Sequence, residues 1–209
     1  MEIWSYDGKL YEIISMYSLP DDAWHYELTG LTGPPGTGPY LAIDIPDTTP
    51  DGALTLRPAQ HVKVHAGGGV VPWLILKQLI DQVDSSGDLV DEERDSSAEA
   101  TVLPLTLNAW SHGNQRFEVN HFHNDDAWNY ELYEVDPDAT ENNYLDVRIP
   151  DASPNSGPFI PMPGDYVTLT MHGRWTLPWP VFRRFLDAIQ AAGDIVPPTG
   201  DKPIPADRP

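Results

Sequence analysis

Residues 125–132 read Asp125-Asp126-Ala127-Trp128-Asn129-Tyr130-Glu131-Leu132, and residues 21–28 read Asp21-Asp22-Ala23-Trp24-His25-Tyr26-Glu27-Leu28. The two stretches agree at seven of eight positions, His25 against Asn129 being the exception. An internal repeat governs every later inference about a chain, because each copy is one supersecondary unit. This one extends outward on both sides. Trp4-Ser5 is answered by Trp110-Ser111, Tyr11-Glu12-Ile13 by Phe117-Glu118-Val119, and the run Tyr40 to Asp47 by Tyr144 to Asp151, both ending Ile-Pro-Asp. Val71-Pro72-Trp73 is answered by Leu177-Pro178-Trp179. The offset moves only from 104 (128 − 24) to 106 (179 − 73), so length differences fall in loops.

Within each copy the hydrophobic period changes from two to between three and four. Tyr11, Ile13, Ser15 and Tyr17 share one face, as do Trp24, Tyr26 and Leu28, and then Leu41, Ile43 and Ile45. This alternation predicts half-buried strands. Further strand signals lie at Ala53–Leu56 and around Val62 and Val64. From Trp73 to about Ser86, Leu76, Leu79, Ile80 and Val83 form one apolar stripe, matched in the second copy by Phe182, Phe185, Leu186 and Ile189. Each predicted helix has a Pro at its entrance and a Gly (Gly87, Gly193) at its end. The expected fold is α+β: two pseudo-two-fold-related units of about 90 residues, each an antiparallel meander of about five strands closed by one C-terminal helix. The boundaries are 1–90 and 110–196 for the units. Residues 91–109 form an acidic linker running into the first strand of the second unit, and 197–209 a Pro-rich extended or disordered arm.

The 209 residues include no Cys, which excludes disulfides, thiolate metal sites and thiol nucleophiles. The N-terminus lacks the basic and apolar regions of a signal peptide, and no apolar run is long enough to span a membrane. A cytoplasmic or intravirion setting is the expectation. Twelve basic groups stand against 32 acidic ones, a net charge of −20. Residues 1–90 hold 4 basic and 12 acidic groups, 91–109 hold 1 and 5, and 110–209 hold 7 and 15. The field is therefore spread over both copies. It repels nucleic acid and anionic membrane and favours basic partners, or serves solubility alone.

The repeat also separates what the fold needs from what it does not. Asp21-Asp22 and Asp125-Asp126 occur in both copies at the turn into a strand, where short acidic side chains bond nearby backbone, so a turn role outweighs a catalytic pair. His121 and His123 occur in one copy only. At i and i+2 on a strand they project together and are two candidate ligands for zinc or iron. Ser15 and Tyr17 hold those places in the first copy, so no metal or other cofactor is expected. Gly67-Gly68-Gly69 precedes a helix but lacks a following Lys-Ser/Thr, and Gly33-Pro34-Pro35-Gly36 precedes none, so neither reads as a phosphate loop. No Gly-x-Ser-x-Gly elbow is present.

The remaining copy-specific groups point to recognition. Arg174 and Trp175, residue types enriched at binding hot spots, stand where the first copy has glycines. His172 precedes them, and Arg183-Arg184 replace Lys77-Gln78. His172, Arg174, Trp175, Arg183 and Arg184 are the expected partner-binding set, with Trp175 covering the end of its own sheet as the equal alternative. The sequence points to a non-enzymatic acidic interaction protein for a basic protein partner, of an inhibitor or immunity type. It would be a monomer with an internal pseudo-dimer or a homo-oligomer. The alternatives are a phage or particle structural subunit and a metal-dependent enzyme using His121 and His123.

Overall fold

A computed structural model describes residues 1–32, 34, 36, 38–47, 58–89, 109–124, 126–135, 143–153, 157–199 and 204–205. The expected segment at 53–56, most of the linker and Asp125 lie outside these residues. In order the chain forms β1 (Glu2–Tyr6), β2 (Lys9–Ser18), β3 (Ala23–Gly30), β4 (Tyr40–Pro46), β5 (Lys63–Ala66), β6 (Gly69–Pro72) and α1 (Trp73–Ser86). It continues with β7 (Ala109–His112), β8 (Gln115–Asn124), β9 (Ala127–Glu134), β10 (Tyr144–Pro150), β11 (Thr168–His172), β12 (Trp175–Pro178), α2 (Trp179–Ala192) and β13 (Ile204–Pro205). The architecture is α+β, with two antiparallel sheets and one helix near the C-terminus of each half.

The periodicities hold in the packing. Tyr11, Ile13, Tyr26, Leu28, Leu41, Ile43 and Ile45 are buried on one side of the first sheet, and the stripe residues of both helices are buried with them in a single core. Each helix begins after its Pro and ends at a left-handed glycine, Gly87 (φ 78°) or Gly193 (φ 80°). The glycine is followed by an Asp whose carboxylate accepts from the Tyr of the repeated octapeptide: Tyr26 to Asp88, and Tyr130 to Asp194. At the repeated aspartates, the backbone carbonyls of Asp22 and Asp126 accept the amides of Asp47 and Asp151, each at 2.8 Å, while the Asp21 carboxylate accepts from Ser18 Oγ at 2.6 Å and that of Asp126 pairs with Arg148.

Strand order departs from two self-contained units. The first sheet runs β12-β5-β4-β3-β2-β1-β13 and the second β6-β11-β10-β9-β8-β7. Among the described residues β1–β5 and β7–β11 are each a five-strand meander, but each half also lends the strand before its helix, β6 or β12, to the other sheet. Val71 faces Leu169 across β6 and β11, and Leu177 faces Val64 across β12 and β5. The helices follow their strands: the Trp73 amide donates to Val167 O, and that of Trp179 to Val62 O, both at 2.9 Å. The crossing from β5 to β6 needs glycine. Gly69 has φ 92°, and a Cβ there would stand 2.6 Å from Pro39 Cα. The Pro-rich arm is not free either, since Ile204–Pro205 pairs with the outer edge of β1.

Candidate functional site

Because helices and core occupy the inner side of both sheets, alternate residues of every strand face outward. On the second sheet, register aligns Tyr133, Tyr144 and His172 in one row, and Glu131, Asp146 and Thr170 in the next. The His172 ring stacks on Tyr144 at 4.0 Å between centroids and 11° between planes. Tyr133 donates to Glu118 Oε2 at 3.0 Å. Asp146 Oδ1 is buried without a hydrogen-bond partner. Burial, and then the Glu131 carboxylate, push the Asp146 acid up to about 6 against a partial offset from Arg148. Arg148 is itself drawn away to Asp126, 2.5 Å from its Oδ2.

The expected binding set is divided by the fold. Arg174 is exposed and has neither a carboxylate nor a ring partner among the described residues. Trp175 shares a face with Leu177, packs partly buried against the core, and keeps a buried Nε1 without a partner. That core lies under the first copy's sheet, because β12 pairs there. Arg183 reaches Asp84 of α1 at 3.2 Å and lies over Trp179, while Arg184 lies over the Trp110 ring at 4.8 Å. Thus Arg183 lines a small crevice between the helices, apart from Arg174 and Trp175.

The first sheet gathers a group that sequence reasoning passed over. His25 Nδ1 lies 3.0 Å from Asp44 Oδ1, and His65 Nε2 lies 2.6 Å from Asp44 Oδ2. Their directions of approach leave His25 Nε2, His65 Nε2 and Asp44 Oδ1 without a well-aligned hydrogen bond. On its other side His65 Nδ1 is 2.8 Å from Thr176 Oγ1. Hydroxyl, imidazole and carboxylate follow the order of a nucleophile, base and orienting acid. Thr176 and His65 are also direct cross-strand neighbours, so the same contacts serve as a polar ladder joining the lent strand to its host. The signal was available: His25 is the one departure within the octapeptide, and Asp44 stands where the second copy has Arg148. Beside this group, a cleft of about 530 Å³ opens at the end of the sheet, bordered by Thr29, Tyr40, His65, Gly67, Arg174 and Thr176.

His121 and His123 project together and enter an aromatic wall. His121 stacks against Tyr130 at 6.1 Å, and His123 meets Phe159 edge-on at 5.5 Å and Trp128 at 6.0 Å. His123 Nε2 is 3.6 Å from Asp151 Oδ2. That carboxyl is held below its usual range chiefly by the Ser153 amide, with Ile160 N–H and His123 assisting against burial. In the first half Ser15 accepts Trp24 Nε1 at 3.0 Å, whereas Trp128 Nε1, facing His121, is buried without a partner. Among the described residues no three His, Asp or Glu side chains are grouped to hold a metal ion, and no helix is long and apolar enough to cross a membrane.

No protein-family model matches the chain, no curated protein matches it, and no solved structure matches its fold.

Proposed function

We propose that this chain is a non-enzymatic interaction protein, a tandem duplication with pseudo-two-fold-related halves, that docks a basic protein partner in the cytoplasm in the manner of an inhibitor or immunity protein. The docking face in this reading is the outer side of the second sheet. The observation that carries it is the Glu131–Asp146 pair: two carboxylates directly opposite on adjacent strands, one with a buried, partnerless oxygen and a raised proton affinity. An arriving Lys or Arg would relieve that repulsion, whereas a neutral partner would not. Tyr133, Tyr144 and His172 form a row of rings beside it, the composition that anchors interface centres. The net charge of −20 speeds encounter with a basic protein. Arg174 and Trp175 lead into β12, which belongs to the first sheet, and Arg183 and Arg184 are engaged within the chain, so all four are left out of the docking face.

Carbodiimide joins carboxylates to lysines in contact. Applied to an extract of the native source and read by peptide mass spectrometry, it is expected to link Glu118, Glu131 or Asp146 to lysines of one basic protein. Links only between copies of this chain would favour a self-assembling subunit. Links to many proteins, no richer at these three residues than at exposed Asp21 and Asp187, would overturn the reading.

A further inference from the structure

Tyr40 and Tyr144 begin equivalent strands, β4 and β10, and each faces outward at the end of its sheet. Opposite Tyr144 stands His172, whose ring covers the tyrosine at 4.0 Å. Opposite Tyr40 stands Gly67, whose amide donates to Tyr40 O at 2.9 Å and which has no side chain to stack. The Tyr40 ring leans over that glycine, where a Cβ would lie 2.6 Å from Cδ1, and stays 37 % exposed. The first sheet therefore lacks a planar ring where the second supplies one, and the 530 Å³ cleft opens there.

The cleft's polar margin says what the missing ring should carry. Arg174 lines it, alone among the described arginines in having neither a carboxylate nor an aromatic ring as partner. A guanidinium fork left open matches a carboxylate in two parallel hydrogen bonds. Thr176 lies along the same margin, and its hydroxyl oxygen, 2.8 Å from His65 Nδ1, keeps a lone pair for a donor on a polar ring edge. The acidic field opposes polyanions, so a single negative charge is tolerated where a nucleotide's several are not. The cleft is half open to solvent, so it suits a small ligand held weakly rather than an enclosed one.

We infer that the cleft binds a small aromatic carboxylate, its ring against the exposed side of Tyr40 and its carboxylate on Arg174. This does not rest on the protein partner proposed above, since it uses the other sheet.

The test uses the full chain and saturation-transfer NMR with titration, with indole-3-acetate as a free acid and N-acetyltryptophan as a model of a peptide's C-terminal residue. The tighter of the two identifies the source of the carboxylate. Saturation transfer from the protein to the indole ring is expected for at least one acid, with affinity falling about tenfold or more in Arg174→Met, the loss of a charged hydrogen-bonded pair. Tyr40→Ala, which removes the half-exposed ring, should weaken binding while the circular dichroism of the fold is kept. Tryptamine, the cationic analogue, should bind more weakly than the acids. Binding that prefers tryptamine, acids that bind both variants as well as the parent, or no transfer from any acid at about 10 mM would overturn the inference.

Discussion

The amide of Trp73 donates to the carbonyl of Val167 at 2.9 Å, so the first residue of α1 is fixed by the opposite half of the chain. The reciprocal bond from Trp179 to Val62 fixes α2 in the same way. Each sheet lacks its last strand without the other half. Residues 1–108 and 109–209 expressed separately are therefore expected to be unfolded or to self-associate by the same exchange. Co-expressed, they should assemble one to one with the circular dichroism of the parent. Analytical ultracentrifugation finding either piece as a cooperatively folded monomer would contradict the lent strands.

Leu79 and Phe185 are fully buried at equivalent places on the two helices. Truncation to Ala should cost about 2–5 kcal/mol at each, the usual combined transfer and cavity term. Urea denaturation measures it, and a loss below about 1 kcal/mol at both sites would mean that the helices do not close the core.

Asp146 gives the fold a pH dependence whose sign follows from the raised acid. Its folded value, about 6, lies above the ordinary 3.8, so folding favours the protonated carboxyl. That contribution is complete below pH 3.8 and lost as pH rises through about 6. Asp146→Asn should then stabilise the protein at pH 8 by roughly 1 kcal/mol, after allowing for solvent screening of a partly exposed group. It should also flatten this part of the stability profile. An unchanged profile from denaturation at several pH values would show that neither burial nor Glu131 raises the Asp146 acid.

Arg174 and Trp175 are neighbours with opposite surroundings. Arg174→Ala, at an exposed site, should leave stability within about 0.5 kcal/mol. Trp175→Ala removes a partly buried ring from the core beneath β12 and should cost about 2 kcal/mol, less than a fully buried Trp. Thermal melts of both variants check the contrast; equal losses would mean that Trp175 does not support the core.

The sequence shows why these two residues looked alike. Both replace glycines of the first copy, and that comparison detects a difference without telling core from solvent. Helix limits were legible because local signals coincide: a Pro before Trp73 and Trp179, a stripe of period between three and four, and glycines at 87 and 193. The lent strands were not legible. Gly69–Pro72 is only four residues long, and whether Val71 pairs within its own half or with Leu169 is decided by a contact distant in the chain. The polar group of His25, Asp44, His65 and Thr176 was half legible, since each residue departs from its counterpart, but only the exchange brings Thr176 to His65.

The pairing of β13 with β1 sets Pro205 opposite Trp4. Segments close to the two ends of the sequence thus meet at one sheet edge, while the halves hold each other through strands that cross between them. Which half is translated first is then a matter of where the loop was opened. A circular permutant starting at residue 109, with a short peptide joining the old ends, would encode the same object in reversed order.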